Sequence, residues 1–558
     1  MNGAEALVKS LKHEKVEVIF GISGGAALPI YDALVKEGKE IENILTRHEQ
    51  GASHMAEGYA KASGKVGVCL ATSGPGATNL VTGIADAILD SIPIVAITGQ
   101  VPTSAIGTDA FQESDIMGIT MPIVKHSFQV RDVNDIPRVV KEAFYIANSG
   151  RPGPVLIDVP RDISQAPMKK FEYPKSVSIK GYNPDRKTDD GDCSAAAEMI
   201  NAAKKPILYV GGGVVNTGAH KELLALAEKS DIPVTTTLMG RGAIPDRHPL
   251  SLNMLGMHGT AYANWAVRDA DLLIAVGVRF DDRVTGNLAK FAKNAKVIHV
   301  EVDPAEVHKN RYADLAILAD AKDVLGKLGK SVRKQKRSDW RRQIAQWKEE
   351  QPLHYTRNGK LKPQFIVEQL GEMTNGDAIL STDVGQHQMW AAQFYPFNRP
   401  RQLLTSGGLG TMGYGLPAAM GAKKAFPDQD VWLISGDGSF QMNVQELATS
   451  IVYNIPVKIA LLNNYSLGMV KQWQELFYDE RYSGIHLSET VPNYQLLAEA
   501  YGCVGITVKE EKDVRPALER AREINDRTVL IDFHHDPSEH VYPMIASGTS
   551  VDEMRLQP

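Results

Sequence analysis

Cysteine is scarce in this sequence. The chain of 558 residues contains three cysteines, Cys69, Cys193 and Cys503, which lie far apart. An odd number without the clustered spacing of zinc ligands predicts neither a disulfide framework nor a structural zinc site. Such an inventory is typical of a reducing compartment, and we expect a cytoplasmic location.

Long apolar runs and a strong charge of one sign are also missing. No apolar stretch approaches the ~18 residues of a membrane-spanning helix, and the opening MNGAEALVKSLKHEKVEVIFG predicts a helix and a strand, not a secretion signal. The net charge of −5 gives no reason to expect nucleic acid or an acidic membrane as partner. The basic run VRKQKRSDWRR could be a nucleic-acid patch, but Glu349 and Glu350 follow it and favour a solvated linker helix.

Short apolar runs that alternate with helical stretches are abundant. They are VGVCLAT, IPIVAITG, PVLIDVP, PILYVGGG, DLLIAVGVRF, KVIHVEVD, DVWLISGDG, VKIALLNN and TVLIDF. Strands that are apolar on both faces and separated by helices predict parallel sheets covered by helices. The predicted fold class is α/β, with three doubly wound, mostly parallel-sheet domains.

Two polar segments divide the chain. The first, 166–192, is rich in proline and glycine, and the second, 331–362, is strongly charged. Cutting there predicts three domains and a tail, at 1–165, 190–330, 363–540 and 541–558.

The first and third of these domains resemble each other. EGYAKASGKVGVCLATSGPG and GLPAAMGAKKAFPDQDVWLISGDG both predict a helix, an apolar strand and a glycine-rich turn that begins at a serine. We interpret this as one fold used twice, although a chance likeness between two βαβ units would give the same pattern.

The stretch ISGDGSFQMN ends an apolar run with Asp437 between Gly436 and Gly438. One predicted helix (FQMNVQELATSIVYN) and one predicted strand later comes Asn463-Asn464. Both motifs are predicted at carboxyl ends of parallel strands, where doubly wound sheets bind ligands. Carboxylate and amide oxygens suit Mg²⁺, whose remaining positions take phosphate oxygens, and the helix that follows would point its N-terminus at a diphosphate. A lone GDG is usually only a turn; the double asparagine makes the signal specific.

This pair of motifs resembles the thiamine-diphosphate motif of the decarboxylase and carboligase superfamily. The resemblance covers nearly the whole chain. One family within the superfamily is indicated by the stretches RHEQGASHMAEGYAKASG, GTDAFQESDIMG, SGRPGPVLIDVP, NMLGMHGT, VGVRFDDRVTG, SGGLGTMGYGLPAAMGA and LGMVKQWQELFY. Together they are similar to the catalytic subunit of acetohydroxyacid synthase, also called acetolactate synthase. That family has pyrimidine-binding, FAD-binding and diphosphate-binding domains, which match the three predicted here.

The resemblance implies a catalytic role for Glu49. In the superfamily, a glutamate of the first domain binds a ring nitrogen of the aminopyrimidine and so assists removal of the thiazolium proton. The local string RHE by itself would equally suit a surface salt-bridge cluster. Because the cofactor is held by the third domain, the family places this glutamate across a subunit interface. We therefore expect a homodimer or a homotetramer.

Further site residues are implied one by one by the resemblance. Gln112 is expected near the reacting centre, with Phe111 lining the pocket. Trp473 is expected to favour 2-oxobutyrate as second substrate, and Arg279 to receive its carboxylate; without the resemblance they would be a core residue and a solvated charge.

The metal is expected on Asp437, Asn464 and the carbonyl of Ser466. The expected thiamine-diphosphate contacts are Gln386, His387, Gly410, Met412, Gly436, Asp437, Gly438, Ser439, Asn464, Leu467, Gly468 and Met469. Residues 465–466 occupy a variable stretch, which coordination through the backbone should tolerate.

The middle domain carries glycines at 211–213 after PILYV, but these do not complete the dinucleotide fingerprint. By the resemblance its ligand is FAD. The expected contacts are Arg151, Gly212, Gly213, His258, Gly259, Thr260, Arg279, Asp281, Arg283, Glu301, Asp303 and Asp320. Acetolactate formation involves no net redox change, so the FAD would be structural.

The implied activity is decarboxylation of pyruvate and transfer of the two-carbon unit to a second 2-oxoacid. Pyruvate as acceptor gives 2-acetolactate and 2-oxobutyrate gives 2-aceto-2-hydroxybutyrate, the entry to branched-chain amino acids. The rival hypotheses are a pyruvate oxidase, whose FAD accepts electrons, and a non-catalytic binding protein on a degenerate scaffold. Whether a small regulatory subunit binds is left open by the sequence.

Overall fold

The computed structural model describes residues 1–184 and 186–557, which form three six-stranded sheets. Asp185, in the first predicted linker, and Pro558, at the end of the predicted tail, lie outside the described residues. Within the described ranges, no helix combines the length and the apolar character that crossing a bilayer would need.

The first sheet has the strand order β2-β1-β3-β4-β6-β5. Its strands are β1 (Val18–Gly21), β2 (Glu42–Leu45), β3 (Gly67–Ala71), β4 (Ile94–Gln100), β5 (His126–Gln129) and β6 (Val155–Pro160). The helices around it are α1 (Gly3–His13), α2 (Leu28–Glu37), α3 (Glu49–Ser63), α4 (Pro75–Thr78), α5 (Val81–Asp90), α6 (Ile116–Thr120), α7 (Ile136–Asn148) and α8 (Arg161–Gln165).

The middle sheet has the order β12-β11-β10-β7-β8-β9. Its strands are β7 (Pro206–Val210), β8 (Val234–Thr236), β9 (Ser251–Met254), β10 (Leu272–Val276), β11 (Lys296–Glu301) and β12 (Leu315–Leu318). The helices are α9 (Asp190–Ala202), α10 (Gly212–Thr217), α11 (His220–Ser230), α12 (Ala261–Asp269), α13 (Asp282–Thr285), α14 (Ala321–Ser331) and α15 (Ser338–Glu350).

The third sheet has the order β14-β13-β15-β16-β18-β17. Its strands are β13 (Ile379–Thr382), β14 (Leu403–Leu404), β15 (Val431–Gly436), β16 (Lys458–Asn463), β17 (Val504–Val508) and β18 (Val529–His534). The helices are α16 (Pro363–Met373), α17 (Gln386–Phe394), α18 (Gly415–Ala425), α19 (Asp437–Phe440), α20 (Glu446–Val452), α21 (Gly468–Phe477), α22 (Tyr494–Ala500) and α23 (Glu511–Glu523).

These strand orders confirm the α/β fold class and the internal duplication. The first and third sheets share one order relative to their own first strands, and all neighbouring strands in both are parallel. The middle sheet instead has the order of a dinucleotide-binding fold, with its switch point between β7 and β10. Each sheet therefore offers a ligand site at the carboxyl ends of its central strands.

One predicted helix differs in the structure. FQMNVQELATSIVYN was expected to form a single helix, but the chain forms the short α19, a 3₁₀ turn at Gln441–Asn443 and then α20. The apolar pattern alone did not show this break, because Phe440 and Leu447 are buried on either side of it. The prediction of one continuous helix was wrong.

The basic segment between the second and third domains is more than a solvated linker. Its helix α15 buries Trp340 and Ile344 in the core of the middle sheet. The indole of Trp340 donates a hydrogen bond to the carbonyl of Pro206 at the start of β7. The charged face of this helix remains exposed, which agrees with its composition, but the apolar face makes it part of the packed structure.

The first and third domains meet through α3 and α18. A Cβ at Gly58 of α3 would lie 2.5 Å from the Cα of Ala418. A Cβ at Gly421 of α18 would lie 2.0 Å from the carbonyl oxygen of Met55. Backbones this close require glycine on both helices, so the small residues there set the distance between the domains.

A buried ion pair also joins the first domain to the loop after β14. The Lys61 ammonium lies 2.7 Å from Asp90 and donates to the carbonyl of Thr405 at 2.6 Å. Asp90 also accepts hydrogen bonds from the backbone amides of residues 407 and 408. Burial alone would lower the pKa of Lys61, but nearby acidic groups, first Asp90 and then Glu57, reverse this and raise it well above its ordinary value. The glycine-rich loop of the third domain is thus held by charges from the first.

Candidate active site

Asp437 and Asn464 stand at the same edge of the third sheet. Asp437 directly follows β15 and begins α19, and Asn464 directly follows β16. These two strands are parallel neighbours, so their carboxyl ends meet. Both side chains are buried and line one cavity, which we call the edge pocket. The predicted cofactor and metal residues that line it are Gln386, His387, Met412, Gly436, Asp437, Gly438, Ser439, Asn464, Ser466, Leu467, Gly468 and Met469.

Asp437 is a buried carboxylate that lacks a protein cation. Among the described residues no lysine, arginine or histidine forms an ion pair with it. Burial raises the pKa of Asp437 to about 7, while nearby backbone amides, including that of Tyr465, oppose the rise. An ionised carboxylate in such a place is stabilised by a bound metal ion.

The oxygens of Asn464 and Ser466 lie beside it in the pocket. The Asn464 side-chain oxygen accepts a hydrogen bond from the Ser466 amide at 3.2 Å, and its nitrogen donates to Gln386 at 3.2 Å. Ser466 pairs with His486 in an isolated antiparallel bridge. The two backbone hydrogen bonds of that bridge use the groups of residues 465 and 467, not the Ser466 carbonyl. A carboxylate, an amide oxygen and a carbonyl form a donor set that fits Mg²⁺.

Glycines leave room for buried polar side chains where the backbone closes around the edge pocket. A Cβ at Gly436 would lie 2.7 Å from the His387 Nδ1 atom, and one at Gly468 would lie 2.1 Å from the Gln386 side-chain oxygen. His387 is buried, which lowers its pKa to about 3 and keeps the ring neutral at neutral pH. Its Nε2 atom has no hydrogen-bond partner among the described residues. The pocket therefore offers a narrow cradle with an unused polar atom, which suits a diphosphate.

A larger cleft, the central cleft, lies between the three domains and has a volume of about 1540 Å³. It adjoins the edge pocket, since Val384, Gly385, Met469 and Val470 line both cavities. The predicted site residues that line it are Arg151, Gly212, Gly213, His258, Arg279, Asp281, Arg283, Glu301, Asp320, Gly410, Met469 and Trp473.

The glycines of the middle domain lie at its switch point. A Cβ at Gly213 would lie 2.6 Å from the Cα of Gly277, which follows β10. Glu301 ends β11, where burial raises the pKa of its carboxyl to about 7. The turn after β7 and the acid at the end of β11 thus face the same cleft, at the carboxyl ends of the strands where doubly wound sheets bind ligands.

Three of the residues expected at FAD do not line the central cleft in the described part of the chain. Gly259 packs against Leu255, and the Thr260 hydroxyl accepts a hydrogen bond from the amide of Ala263 in the first turn of α12. Asp303 forms an ion pair with Arg151 at 3.2 Å. Asp303 therefore contacts Arg151, which lines the cleft, and Gly259 and Thr260 support local structure.

Trp473 lies on α21 and faces the central cleft. The Arg283 guanidinium lies 6.0 Å from the centre of its ring, and Phe477 packs edge-on at 5.5 Å. Arg279 lies on the middle domain in the same cleft, 3.6 Å from Asp281. Trp473, Arg279 and Arg283 therefore give the central cleft an aromatic surface and two cations.

Glu49, Phe111 and Gln112 lie elsewhere. Glu49 begins α3, where it is buried and accepts a hydrogen bond from Asn79 at 2.9 Å. Phe111 is 88% exposed, and Gln112 has a positive φ of 58° in an exposed loop. Among the described residues none of the three lines the edge pocket or the central cleft. A single chain does not bring these three residues to Asp437.

Sequence reasoning missed six residues that line the edge pocket: Val384, Gly385, Trp390, Leu462, Val470 and His535. His535 directly follows β18, the strand beside β16, so the end of the apolar run TVLIDF was the available signal. Burial lowers its pKa to about 4, and the ring is neutral at neutral pH. Trp390 lies on α17 and carried no signal beyond an apolar helix position.

Comparisons with known proteins agree with this geometry. Three descriptions of thiamine pyrophosphate enzymes match: the N-terminal TPP binding domain over 1–119, the central domain over 193–328 and the C-terminal TPP binding domain over 383–533.

Full-length relatives are also similar. The chain is 54% identical to acetolactate synthase large subunit IlvB1 of Mycobacterium tuberculosis over 566 residues, which covers 100% of this chain and 91% of the relative. It is 50% identical to acetolactate synthase isozyme 3 large subunit of Escherichia coli, with 100% and 98% covered. It is 48% identical to acetolactate synthase large subunit of Buchnera aphidicola subsp. Schizaphis graminum, with 100% and 99% covered. The chain belongs to the thiamine pyrophosphate enzymes and, within them, to the acetolactate synthase catalytic subunits, which use thiamine diphosphate.

Proposed function

We propose that the acetolactate synthase reaction takes place where the edge pocket opens into the central cleft, with Mg²⁺ held by Asp437, Asn464 and the carbonyl of Ser466. The observation that carries this proposal is the buried Asp437 carboxylate, which forms no ion pair with a cation among the described residues and shares its pocket with two neutral oxygen donors. A divalent ion bound by Asp437 and by a diphosphate would neutralise negative charge on both groups.

The diphosphate of the cofactor would lie in the glycine cradle beside His387 and Gln386. Met412 lines the same pocket, and Gly410 lies at its junction with the cleft. When bound, thiamine diphosphate supplies the electron sink for decarboxylating pyruvate. The residues around it orient the two 2-oxoacids and exclude water from the site.

A second copy of this chain would complete the site. The support is that, in the described part of the chain, Glu49 and Gln112 line neither the edge pocket nor the central cleft, while Phe111, next to Gln112 in the chain, is 88% exposed. A symmetric pair would place these residues at the partner's edge pocket, and a tetramer would contain two such pairs. Because the relatives above are named large subunits, we also propose a small regulatory subunit as a partner.

The central cleft would hold FAD in a structural role. Its size, the glycine turn after β7 and the Arg151 guanidinium facing it support this ligand. The middle sheet has a dinucleotide-binding strand order, and its ligand is expected at this edge.

Trp473 and Arg279 would bind the acceptor 2-oxoacid. With pyruvate and 2-oxobutyrate supplied together, we expect Trp473→Leu to lower the ratio of 2-aceto-2-hydroxybutyrate to 2-acetolactate at least about tenfold, the lower end of the effect of one methylene contact. Trp473→Phe should change the ratio less, since the aromatic wall remains. The products can be separated and quantified by mass spectrometry.

A matched control is Tyr312→Leu, which replaces an aromatic residue that is 69% exposed. Its product ratio should equal that of the wild type. An unaltered ratio in Trp473→Leu would exclude Trp473 from acceptor selection.

The activity itself is tested by incubating purified full-length protein with pyruvate, thiamine diphosphate, Mg²⁺ and FAD without oxygen. We expect acetolactate, with the flavin still oxidised at the end. Acetate with bleaching of the flavin would identify a pyruvate oxidase, and no conversion of any 2-oxoacid would identify a non-catalytic scaffold.

A further inference from the structure

Four side chains beside the proposed metal ligands form a closed ring of hydrogen bonds. The His534 Nε2 atom lies 2.8 Å from Asp532, and the other Asp532 oxygen accepts from the side chain of Asn463 at 3.0 Å. The side-chain oxygen of Asn463 accepts from the backbone amide of Tyr465 at 3.2 Å. The phenol of Tyr465 meets the His534 Nδ1 atom and closes the ring. We call this set the Tyr465 ring.

With a neutral imidazole, one arrangement of donors and acceptors satisfies every bond of the ring. Asp532 accepts from two partners, so His534 donates through Nε2 and is left with Nδ1 as an acceptor. The Tyr465 hydroxyl then donates to Nδ1. The aromatic rings of Tyr465 and His534 also pack edge-on at 5.6 Å. Asn463 and Asp532 are buried and the His534 side chain is 19% exposed, so the ring is largely shielded from water.

The ring acts on a residue with an unusual backbone. Tyr465 has a φ of +59°, in the left-handed region that is unfavourable for a residue with a Cβ. It stands between Asn464 and Ser466, so its conformation sets the directions of both proposed ligands. The amide of Tyr465 is held by Asn463 and its carbonyl accepts from Leu487 at 2.8 Å. The phenol supplies a third attachment.

We propose that Tyr465 and His534 are positioning residues that keep the metal loop in its binding conformation before Mg²⁺ arrives. Without the ring, other conformations of residue 465 become populated. The apparent affinity for the metal then falls in proportion to the fraction of competent loop. The two residues touch neither substrate nor metal in this role. The inference rests on the metal site proposed above and goes beyond it, since the side chains of Tyr465 and His534 become part of the site's support.

The test measures the binding of thiamine diphosphate to the full-length protein by equilibrium dialysis at a series of Mg²⁺ concentrations. We expect Tyr465→Phe and His534→Gln each to raise the Mg²⁺ concentration for half-maximal binding about tenfold, the loss of one net hydrogen bond. The double variant should lie within about twofold of the weaker single variant, because both changes open the same ring. At saturating Mg²⁺ and cofactor, kcat should return to within about twofold of the wild type.

Tyr173→Phe is the matched control, because its phenol also donates to a side chain, Glu14, but in the first domain. Its Mg²⁺ dependence should not change. A second comparison concerns the backbone: Tyr465→Gly should bind at lower Mg²⁺ than Tyr465→Ala, since glycine adopts positive φ without strain. The reverse order would contradict the proposed effect on the loop.

An unchanged Mg²⁺ dependence in both ring variants would overturn the inference. If the cofactor-free variants then also unfolded at a lower temperature than the wild type, the ring would have a merely structural role. Wild-type protein that binds thiamine diphosphate equally well without divalent ions would instead remove the proposed metal site. The failures of the two proposals are therefore distinguishable.

Discussion

Replacing Glu49 by glutamine is expected to slow acetolactate formation by about 10²-fold or more, the scale of a lost general acid–base group. Glutamine keeps the size of the side chain but cannot exchange a proton with the aminopyrimidine. The residue begins α3, accepts a hydrogen bond from Asn79 and, among the described residues, is not one that lines the edge pocket or the central cleft. Binding of thiamine diphosphate and Mg²⁺ should therefore be retained, which dialysis checks beside the steady-state rate.

Glu37→Gln is a suitable control, since Glu37 lies exposed at the end of α2 in the same domain. That variant should match the wild-type rate. If Glu49→Gln also matched it, Glu49 would have no part in the chemistry, and the resemblance on which its role depends would mislead at this position.

Replacing Asp437 by alanine is expected to abolish the Mg²⁺-dependent retention of thiamine diphosphate. The carboxylate is the only anionic member of the proposed donor set, and the alanine leaves two neutral oxygens for a divalent cation. We expect the cofactor affinity to fall at least about 100-fold, since losing even an outer partner of a metal ligand costs 10–100-fold. Equilibrium dialysis against Mg²⁺ measures this directly.

Asp428→Ala removes an exposed acid from the same domain, before β15, and should leave retention unchanged. Retention of the cofactor by Asp437→Ala at wild-type Mg²⁺ concentrations would show that the metal is held by other groups. It would also remove the basis for placing the reaction in the edge pocket.

The two inactive variants together test the assembly. If Glu49 serves the edge pocket of a partner, a hybrid pair of Glu49→Gln and Asp437→Ala chains contains one site with both residues intact. Equal mixing with random exchange should then restore roughly a quarter of wild-type activity, because half of the pairs are hybrid and half of their sites are whole. No recovery in verified hybrids would place Glu49 and Asp437 in the same chain's site.

Much of the fold was predictable because its central strands are buried on both faces. The apolar runs that became β4, β6 and β16 are buried at every position, and their type follows from composition. The strands missed by the same reasoning are short or lie at sheet edges. For example, β14 has two residues, and β5 (HSFQ) is only partly buried. A half-exposed edge strand carries no apolar run for a pattern to detect.

Some residues of the candidate site were likewise predictable from the sequence, and others were not. Motifs at strand ends predicted Asp437 and Asn464, and the parallel pairing of β15 and β16 brings them into one pocket. His535 follows a neighbouring strand without any motif. Tyr465 and His534 are far apart in the sequence, and the pairing of β16 with β18 brings them within hydrogen-bond distance. Roles taken from the resemblance remain predictions until the variants above are measured.

The sequence by itself determined the α/β class, the duplicated domain and the residue types at the strand ends, because these depend on local composition and spacing. Only the tertiary structure decided which strand ends meet, how the Lys61–Asp90 pair holds the loop after β14, and that Glu49 stands apart from its own chain's pocket. Such features depend on contacts between residues far apart in the chain, and neither hydrophobic periodicity nor a short motif records them.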